Sequence, residues 1–313
     1  MLNLSRRSIG VFMRLSRAPI LMQIENGRTP KAKYLHDLTY HGQELSFNEA
    51  KNIIIQYLES SGSVDLEKDV NGIAKIRLNN PRCMNAINAK MMSDLEEITE
   101  KLSQWTECKG AIVYGADGNF CAGGDLNFAK KISNPYGGYA MNIYLGHILN
   151  KFKKLPIITV AYIEGAGAIG GGAEITTACD YRLMCNAADS TVIGFPHSKM
   201  GIVPAWGSTG RLVSIVGVRK TLDLLLESRL LRAAEAMDSG LVDGTVTTMA
   251  DAEAWLSRKI KGDLNVIRAI KSTVMCYNDS LETARMMESR IFAPLWGGTA
   301  HNAALEQHLK HNK

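Results

Sequence analysis

From about Ser63 the chain alternates apolar and polar residues, and Gly72-Ile-Ala-Lys-Ile-Arg-Leu-Asn79 has the two-residue period of a half-buried strand. Asn80-Pro81 ends it, because proline has no N–H to give to a strand ladder. Met91, Leu95, Ile98 and Leu102 then recur at spacings of four, three and four, the signature of a helix with one apolar face packed on the preceding strands. A short apolar run, Ala111 to Tyr114, predicts the next strand and leads into a glycine-rich loop. The same order repeats: a helical stretch from about Tyr139 to Lys154, a strand from Pro156 to Ile163, a second glycine-rich loop, a short helix from about Ala173, and a strand from Asp180 to Met184. Strand-loop-helix units with glycines at the strand's C-terminal end predict an α/β fold with its site at those ends. Beyond about Gly207 the pattern is almost wholly helical, with segments centred near Val213, Leu224, Ala234, Ala254, Ile267, Ala284 and Ala304, set apart by glycine or by Asp, Asn and Ser caps.

This pattern divides the chain into an N-terminal extension over residues 1–60, a core over 61–245 and a helical C-terminal region over 246–313. The extension opens with Arg6, Arg7, Arg14 and Arg17 among Ser5, Ser8 and Ser16, and no acid precedes Glu25. That composition fits a basic leader on a cytosolic protein and equally a mitochondrial transit peptide. The longest apolar stretches, such as Leu155 to Ile163, fall well short of the roughly 20 residues of a membrane-spanning helix, so no membrane partner is expected. A net charge of +5 with scattered Lys and Arg points away from nucleic acid. The six cysteines (Cys83, Cys108, Cys121, Cys179, Cys185 and Cys276) form no CxxC pair and no paired spacing with histidine, so neither a zinc site nor a disulfide framework is expected. They are expected as reduced, mostly buried thiols of an intracellular protein.

Two segments could carry chemistry. In Phe120-Cys-Ala-Gly-Gly-Asp-Leu126, Gly123 and Gly124 permit close approach of the backbone to a ligand, and Asp125 can cap the helix that follows; a plain strand-to-helix turn would have the same residues. Gly165-Ala-Gly-Ala-Ile-Gly-Gly-Gly-Ala-Glu174 follows a strand and opens a helix, whose first N–H groups are unpaired and suit an anion. Gly165, Gly167 and Gly170 also spell the GxGxxG of dinucleotide binding, with Asp189 at about the expected distance. Against that reading, the helix has room only for about Ala173 to Cys179, too short for the crossover of a βαβ unit. The other chemistry is enolate stabilisation, in which two convergent backbone donors, one from each loop, hold the oxygen of a thioester enolate.

Taken together, the two loops resemble those of the crotonase family, also called the enoyl-CoA hydratase/isomerase family. Asn79-Asn-Pro-Arg-Cys-Met-Asn-Ala-Ile87 resembles its first coenzyme A-contacting loop, Phe120 to Leu126 its F-x-A-G-x-D-[IL] loop, and Gly165 to Asp180 its G-x-A-x-G-G-G-x-E…CD segment, with one extra residue between Gly165 and Ala168. Gly201-Ile-Val-Pro204 and Gly207-Ser-Thr-Gly-Arg-Leu212 continue the match. The resemblance implies an α/β fold with a crotonase-type ββα spiral core and a helical C-terminal region, assembled as a homotrimer or homohexamer. It also implies an acyl-CoA substrate, an oxyanion hole from the N–H groups of Gly124 and Gly171, and Glu174 as the first catalytic carboxylate. Met84, Asn85, Ala86, Ala122, Asp125 and Leu126 would contact the coenzyme A moiety.

One departure changes the expected reaction. Where hydratases of this family carry a second catalytic glutamate, this chain has His197, in Phe195-Pro-His-Ser-Lys-Met200. Adding water across a double bond is best served by two carboxylates. Losing CO₂ from a malonyl-type thioester leaves the same enolate and needs the oxyanion hole, a way to hold the carboxylate out of the thioester plane, and a proton donor. His197 is suited to the last two tasks, whereas Glu174 is either protonated or raises the energy of the bound carboxylate. Trp105 to Gly110, Glu174 to Asp180, Trp206 to Arg211 and Pro294 to Ala300 resemble decarboxylating members of the family. The resemblance therefore implies a carboxy-lyase, free of metal and cofactor, that acts on ethylmalonyl-CoA and more slowly on methylmalonyl-CoA in a metabolite-repair role. The alternatives are an enoyl-CoA hydratase or isomerase and a non-catalytic scaffold of the same fold. Cys121 is expected to pack rather than attack, and Met91-Met92 and Met286-Met287 to sit in helix cores.

Overall fold

A computed structural model describes residues 42–187 and 190–276. The arginine-rich leader, Asp189, Met286-Met287, the Pro294 to Ala300 run and the segments near Ala284 and Ala304 lie outside the described residues. The chain divides between Gln43 and Glu44, and the fold set out below is that of the larger unit, Glu44–Lys313.

Helix α1 (Phe47–Ile54) starts at Ser46, whose hydroxyl accepts the Glu49 N–H while the Glu49 carboxylate accepts the Ser46 N–H at 2.8 Å. Its Ala50 and Ile54 join the main hydrophobic core, so part of the expected extension is packed with the fold. Strands β1 (Ser63–Lys68) and β2 (Ile73–Asn79) form an antiparallel pair. Helix α2 (Ala89–Gln104) is capped by Asn88, which accepts the Met91 N–H at 3.0 Å, and buries Met91, Leu95, Ile98 and Leu102 as their spacing predicts. There follow β3 (Gly110–Gly115), α3 (Leu126–Lys131), α4 (Pro135–Lys153), β4 (Ile158–Ile163), β5 (Ala168–Ile169), α5 (Gly171–Thr176), β6 (Tyr181–Cys185) and β7 (Val192–Gly194). The remaining described elements are α6 (Ser208–Glu227), β8 (Leu230–Arg232), α7 (Ala233–Asp238), β9 (Gly244–Val246), α8 (Met249–Lys259) and α9 (Leu264–Cys276).

One sheet runs β1-β2-β3-β4-β6-β9, parallel from β2 onward, and a second runs β5-β7-β8. Both faces of the larger sheet are covered. Ala111, Val113, Ala161 and Ile163 point into one core with α2 and α4, while Ile112, Val160 and Tyr162 point into another with α8. Strands buried on both faces have little need of polar positions, which is why β3 and β4 read as continuous apolar runs. Because β2, β3, β4 and β6 are parallel, the loops that follow them leave from one edge. Single bridges between Ile87 and Gly124 and between Cys121 and Ala168 stack these loops into successive turns of a spiral.

Beyond the packing of α1, the structure differs from the sequence expectation in three further places. The region after Gly207 is not wholly helical: β8 pairs with β7, and β9 closes the edge of the larger sheet across the expected boundary at residue 245. Helix α4 begins at Pro135 rather than near Tyr139, because Asn134 accepts the Gly137 N–H at 2.9 Å and Pro135 suits the first helical position. Helix α5 begins at Gly171 rather than Ala173. No helix among the described residues is long and apolar enough to cross a membrane.

Candidate active site

The loop after β2 is built on two left-handed residues, Met84 (φ 48°) and Asn85 (φ 58°). Asn85 is fully buried: its Oδ1 accepts the Asn80 N–H at 2.9 Å, and its Nδ2 donates to the carbonyls of Ala116 at 2.9 Å and Asn119 at 2.6 Å. Ala86 is also buried, and its carbonyl accepts from Asn80 Nδ2. The loop after β3 is tied to this one by the Ala122 N–H to Met84, the Ile87 N–H to Gly123 and the Asp125 N–H to Ile87. Asp125 then caps α3, accepting from the Asn127 and Phe128 N–H groups at 2.8 and 2.9 Å. Of the six residues expected against coenzyme A, Met84 (53% exposed) and Leu126 (62% exposed) present free apolar side chains, while the polar groups of Asn85 and Asp125 hold the loops themselves.

The loop after β4 docks on the same turn through the Cys121 N–H to Gly167 at 3.1 Å and the Ile169 N–H to Cys121 at 3.0 Å. Cys121 is buried, and burial pushes its thiol up to about 12, so at neutral pH it carries its proton and packs as expected. Gly165, Gly167 and Gly170 take left-handed φ values of 62°, 93° and 56° to bring the chain into this contact. They lead into strand β5 and a helix of six residues, not the crossover helix of a dinucleotide-binding unit. As α5 starts, the Gly171 N–H comes up beside that of Gly124. A Cβ built on Gly171 would lie 3.2 Å from the Gly124 nitrogen, and one on Gly123 would lie 3.3 Å from the Gly171 nitrogen. Neither N–H has an acceptor among the described residues, as expected for the first donor of a helix and for a loop glycine.

Glu174 lies one turn further along α5 and is 2% exposed. Its Oε1 accepts the Ala205 N–H at 2.5 Å and the Ser208 hydroxyl at 2.8 Å, and its Oε2 lies 3.2 Å from Nε2 of the buried His197. With Nε2–H donated to Glu174, Nδ1 carries a lone pair in the neutral ring and a second N–H in the imidazolium; it is buried and has no partner among the described residues. Arg211 braces the arrangement from α6. Its Nε donates to Thr177 Oγ1 at 2.9 Å, its Nη1 to the Trp206 carbonyl at 2.9 Å, and its Nη2 reaches the Glu174 carbonyl at 3.4 Å. Burial lowers this guanidinium to about 10, which leaves it charged at neutral pH.

The structure thus brings together Gly124, Gly171, Glu174 and His197. Sequence reasoning misses the Ala205 N–H, and it holds Trp206, Ser208 and Arg211 only as members of a motif, with no role of their own. A serine opening a helix right after a glycine was the available signal, but a cap would have explained it. Concavities of about 570 Å³ beside the β1–β2 turn and about 430 Å³ between α2 and α4 lie away from this group. Among the described residues no group of three or more His, Cys, Asp or Glu is placed to hold a metal ion.

Residues 68–304 match the family model for enoyl-CoA hydratase/isomerase. The chain belongs to the enoyl-CoA hydratase/isomerase family. Within it, the chain is 41% identical over 289 residues to a protein of Xenopus laevis named ethylmalonyl-CoA decarboxylase, covering 89% of this chain and 95% of that one. It is 44% identical over 260 residues to the Danio rerio protein of the same name, covering 80% of this chain and 85% of its relative. Among solved structures, an enoyl-CoA hydratase from Thermoplasma volcanium superposes with a TM-score of 0.70 at 28% identity, over 78% of this chain and 96% of that one. One from Bacillus anthracis superposes with a TM-score of 0.71 at 25% identity, over 80% and 96%. The crotonase-type fold expected from the motifs is therefore established. In this family member the loops that bear Gly124 and Gly171 stack as successive turns of the fold, and the group opposite Glu174 is an imidazole.

Proposed function

We propose that this chain is a carboxy-lyase that converts ethylmalonyl-CoA to butyryl-CoA and CO₂, and that acts on methylmalonyl-CoA more slowly. The observation that carries the reading is that both oxygens of Glu174 are already engaged, one by Ala205 and Ser208, the other by His197. A carboxylate so held is poorly placed to orient a water for hydration, and the described residue that faces it is His197 rather than a second carboxylate. It is well placed to fix the imidazole of His197. The vertebrate relatives named ethylmalonyl-CoA decarboxylase support the same reading.

In this account the thioester oxygen accepts from the Gly124 and Gly171 N–H groups. The bond between Cα and the carboxylate carbon breaks, CO₂ leaves, and the electron pair moves into the thioester to form an enolate whose oxygen the two donors stabilise. Each such donor contributes about 2.7–4 kcal/mol to a transition state of this kind. Nδ1 of an imidazolium His197 holds the carboxylate and then gives its proton to Cα, while Glu174 stays hydrogen-bonded to Nε2. The thioester serves as the electron sink, so we assign no metal or cofactor. Exposed Val218, Leu222 and Leu226 lie one turn apart on α6 and suit self-association as a homotrimer or homohexamer. The unpaired thiols suit a reducing compartment, which we take to be the cytosol.

The test is to incubate the purified protein separately with ethylmalonyl-CoA, methylmalonyl-CoA and crotonyl-CoA and to follow products by mass spectrometry. Butyryl-CoA formation should dominate. Faster hydration of crotonyl-CoA would overturn the reading.

A further inference from the structure

We infer that Trp206 forms the wall on which the α-alkyl substituent of the substrate packs, and so determines which branched malonyl thioesters are accepted. The inference rests on the reading that Gly124 and Gly171 hold the thioester oxygen. Trp206 is 3% exposed, and the six-membered ring of its indole lies against Gly171: a Cβ built there would come within 2.6 Å of Cη2 and 2.7 Å of Cζ3. A thioester oxygen within hydrogen-bonding distance of the Gly171 N–H, about 2.7–3.2 Å, brings the acyl carbons against the same edge. That edge is apolar. It suits an alkyl group and not a carboxylate, which leaves the carboxylate to the His197 side of the site.

The backbone makes an unusual effort to put the ring there. Trp206 has a left-handed φ of 53°, a conformation that a bulky residue keeps only where its surroundings over-determine it. Its N–H donates to Asn142 Oδ1 at 2.6 Å, its carbonyl accepts from Arg211 at 2.9 Å, and the preceding Ala205 N–H is held by Glu174. Its Cα is also packed on α4, where a Cβ on Gly146 would lie 3.4 Å away. None of these bonds involves the indole, and the indole N–H itself is buried without an acceptor among the described residues. The ring is therefore not held by a hydrogen bond of its own. What the strained turn delivers is apolar area at one point, beside the oxyanion donor.

The test compares wild type, Trp206→Phe and Trp206→Leu on methylmalonyl-, ethylmalonyl- and propylmalonyl-CoA. A methylene in an apolar pocket discriminates by about 10–200-fold, so shortening the wall should raise the propyl-to-ethyl ratio of kcat/KM by about tenfold or more. An equal fall in kcat/KM for all three substrates, with the ratio unchanged, would assign Trp206 a structural role only and overturn the inference. Calorimetric binding of propionyl-, butyryl- and valeryl-CoA to the same variants reads the wall without the reaction. A wild-type protein that decarboxylates nothing would sink the proposed function, while the chain-length dependence of binding would still decide the role of Trp206. Thermal unfolding identifies a variant that fails to fold, and the second substitution then carries the comparison.

Discussion

Replacing Gly171 by alanine adds one methyl group where the site is most crowded. The glycine is helical rather than left-handed, so the backbone accepts alanine and only the space is at issue. The new Cβ would stand 2.6 and 2.7 Å from two ring carbons of Trp206 and 3.2 Å from the Gly124 nitrogen. Carbon atoms pack at roughly 3.5–4.0 Å, so the indole or the start of α5 must retreat by about 1 Å. Overpacking of this kind costs about 1–3 kcal/mol, and at roughly 2–4 °C per kcal/mol for a domain of this size the thermal midpoint should fall by about 2–12 °C. The effect on rate should be larger. Moving the Gly171 N–H out of line with that of Gly124 removes one oxyanion donor, which lowers kcat by about 10²–10³. The assay is kcat for CO₂ release from saturating ethylmalonyl-CoA, with the midpoint measured in parallel. Adding Trp206→Phe, which shortens the ring, should return part of the lost rate because the methyl then has room. A folded Gly171→Ala protein that keeps kcat within about tenfold of wild type would refute the role given to this N–H. A double variant that recovers nothing would place the damage away from the ring contact.

Other predictions follow from the same geometry. Ser208→Ala leaves Glu174 Oε1 with the Ala205 N–H as its remaining partner, and should lower kcat by about tenfold with little change in KM while lowering stability by about 1–3 kcal/mol, read from urea unfolding. Asp125→Ala removes the cap of α3 and should cost about 1 kcal/mol in the same measurement, because two N–H groups lose their acceptor. Alkaline pH should destabilise the fold through its buried thiols: burial pushes Cys108 up to about 11 and Cys121 and Cys179 up to about 12, from an ordinary value of 9.0. Above pH 9 the unfolded chain gives up these protons while the folded protein keeps them, so stability falls as pH rises, by about 1.4 kcal/mol per thiol at pH 10. The midpoint between pH 8.5 and 10 should therefore drop less in Cys121→Ala than in wild type, and an identical slope would refute the assignment.

The parts of the fold that follow from short-range pattern were legible in the sequence. Met91, Leu95, Ile98 and Leu102 mark the buried face of α2, and the alternation of Ile73 to Asn79 marks a strand whose Ala74, Ile76 and Leu78 form one buried face. Strands β8 and β9 were not legible, since three residues are too few to show a period and their partners lie far along the chain. The start of α4 was lost for a different reason: its first turn contains Gly137 and Gly138, poor helix formers, and its signal lay in the cap at Asn134 and Pro135. The site divides in the same way. Gly124, Gly171, Glu174 and His197 stand in recognisable motifs, and the fold places Gly124 beside Gly171 and His197 beside Glu174. What holds the Glu174 carboxylate, the approach of the Ala205 N–H and of Ser208 at the start of α6, is a tertiary contact across 31 and 34 residues with no trace in local pattern. The packing of Trp206 on Gly171 is of the same kind.

The central claim is that an acyl thioester places its oxygen between two backbone N–H groups. It is tested most directly by a crystal structure of the protein with butyryl-CoA bound. The account predicts the thioester oxygen within about 3.1 Å of both the Gly124 and Gly171 nitrogens, with the butyryl chain against Trp206. A thioester oxygen more than about 4 Å from either nitrogen, beyond any hydrogen bond, would contradict it.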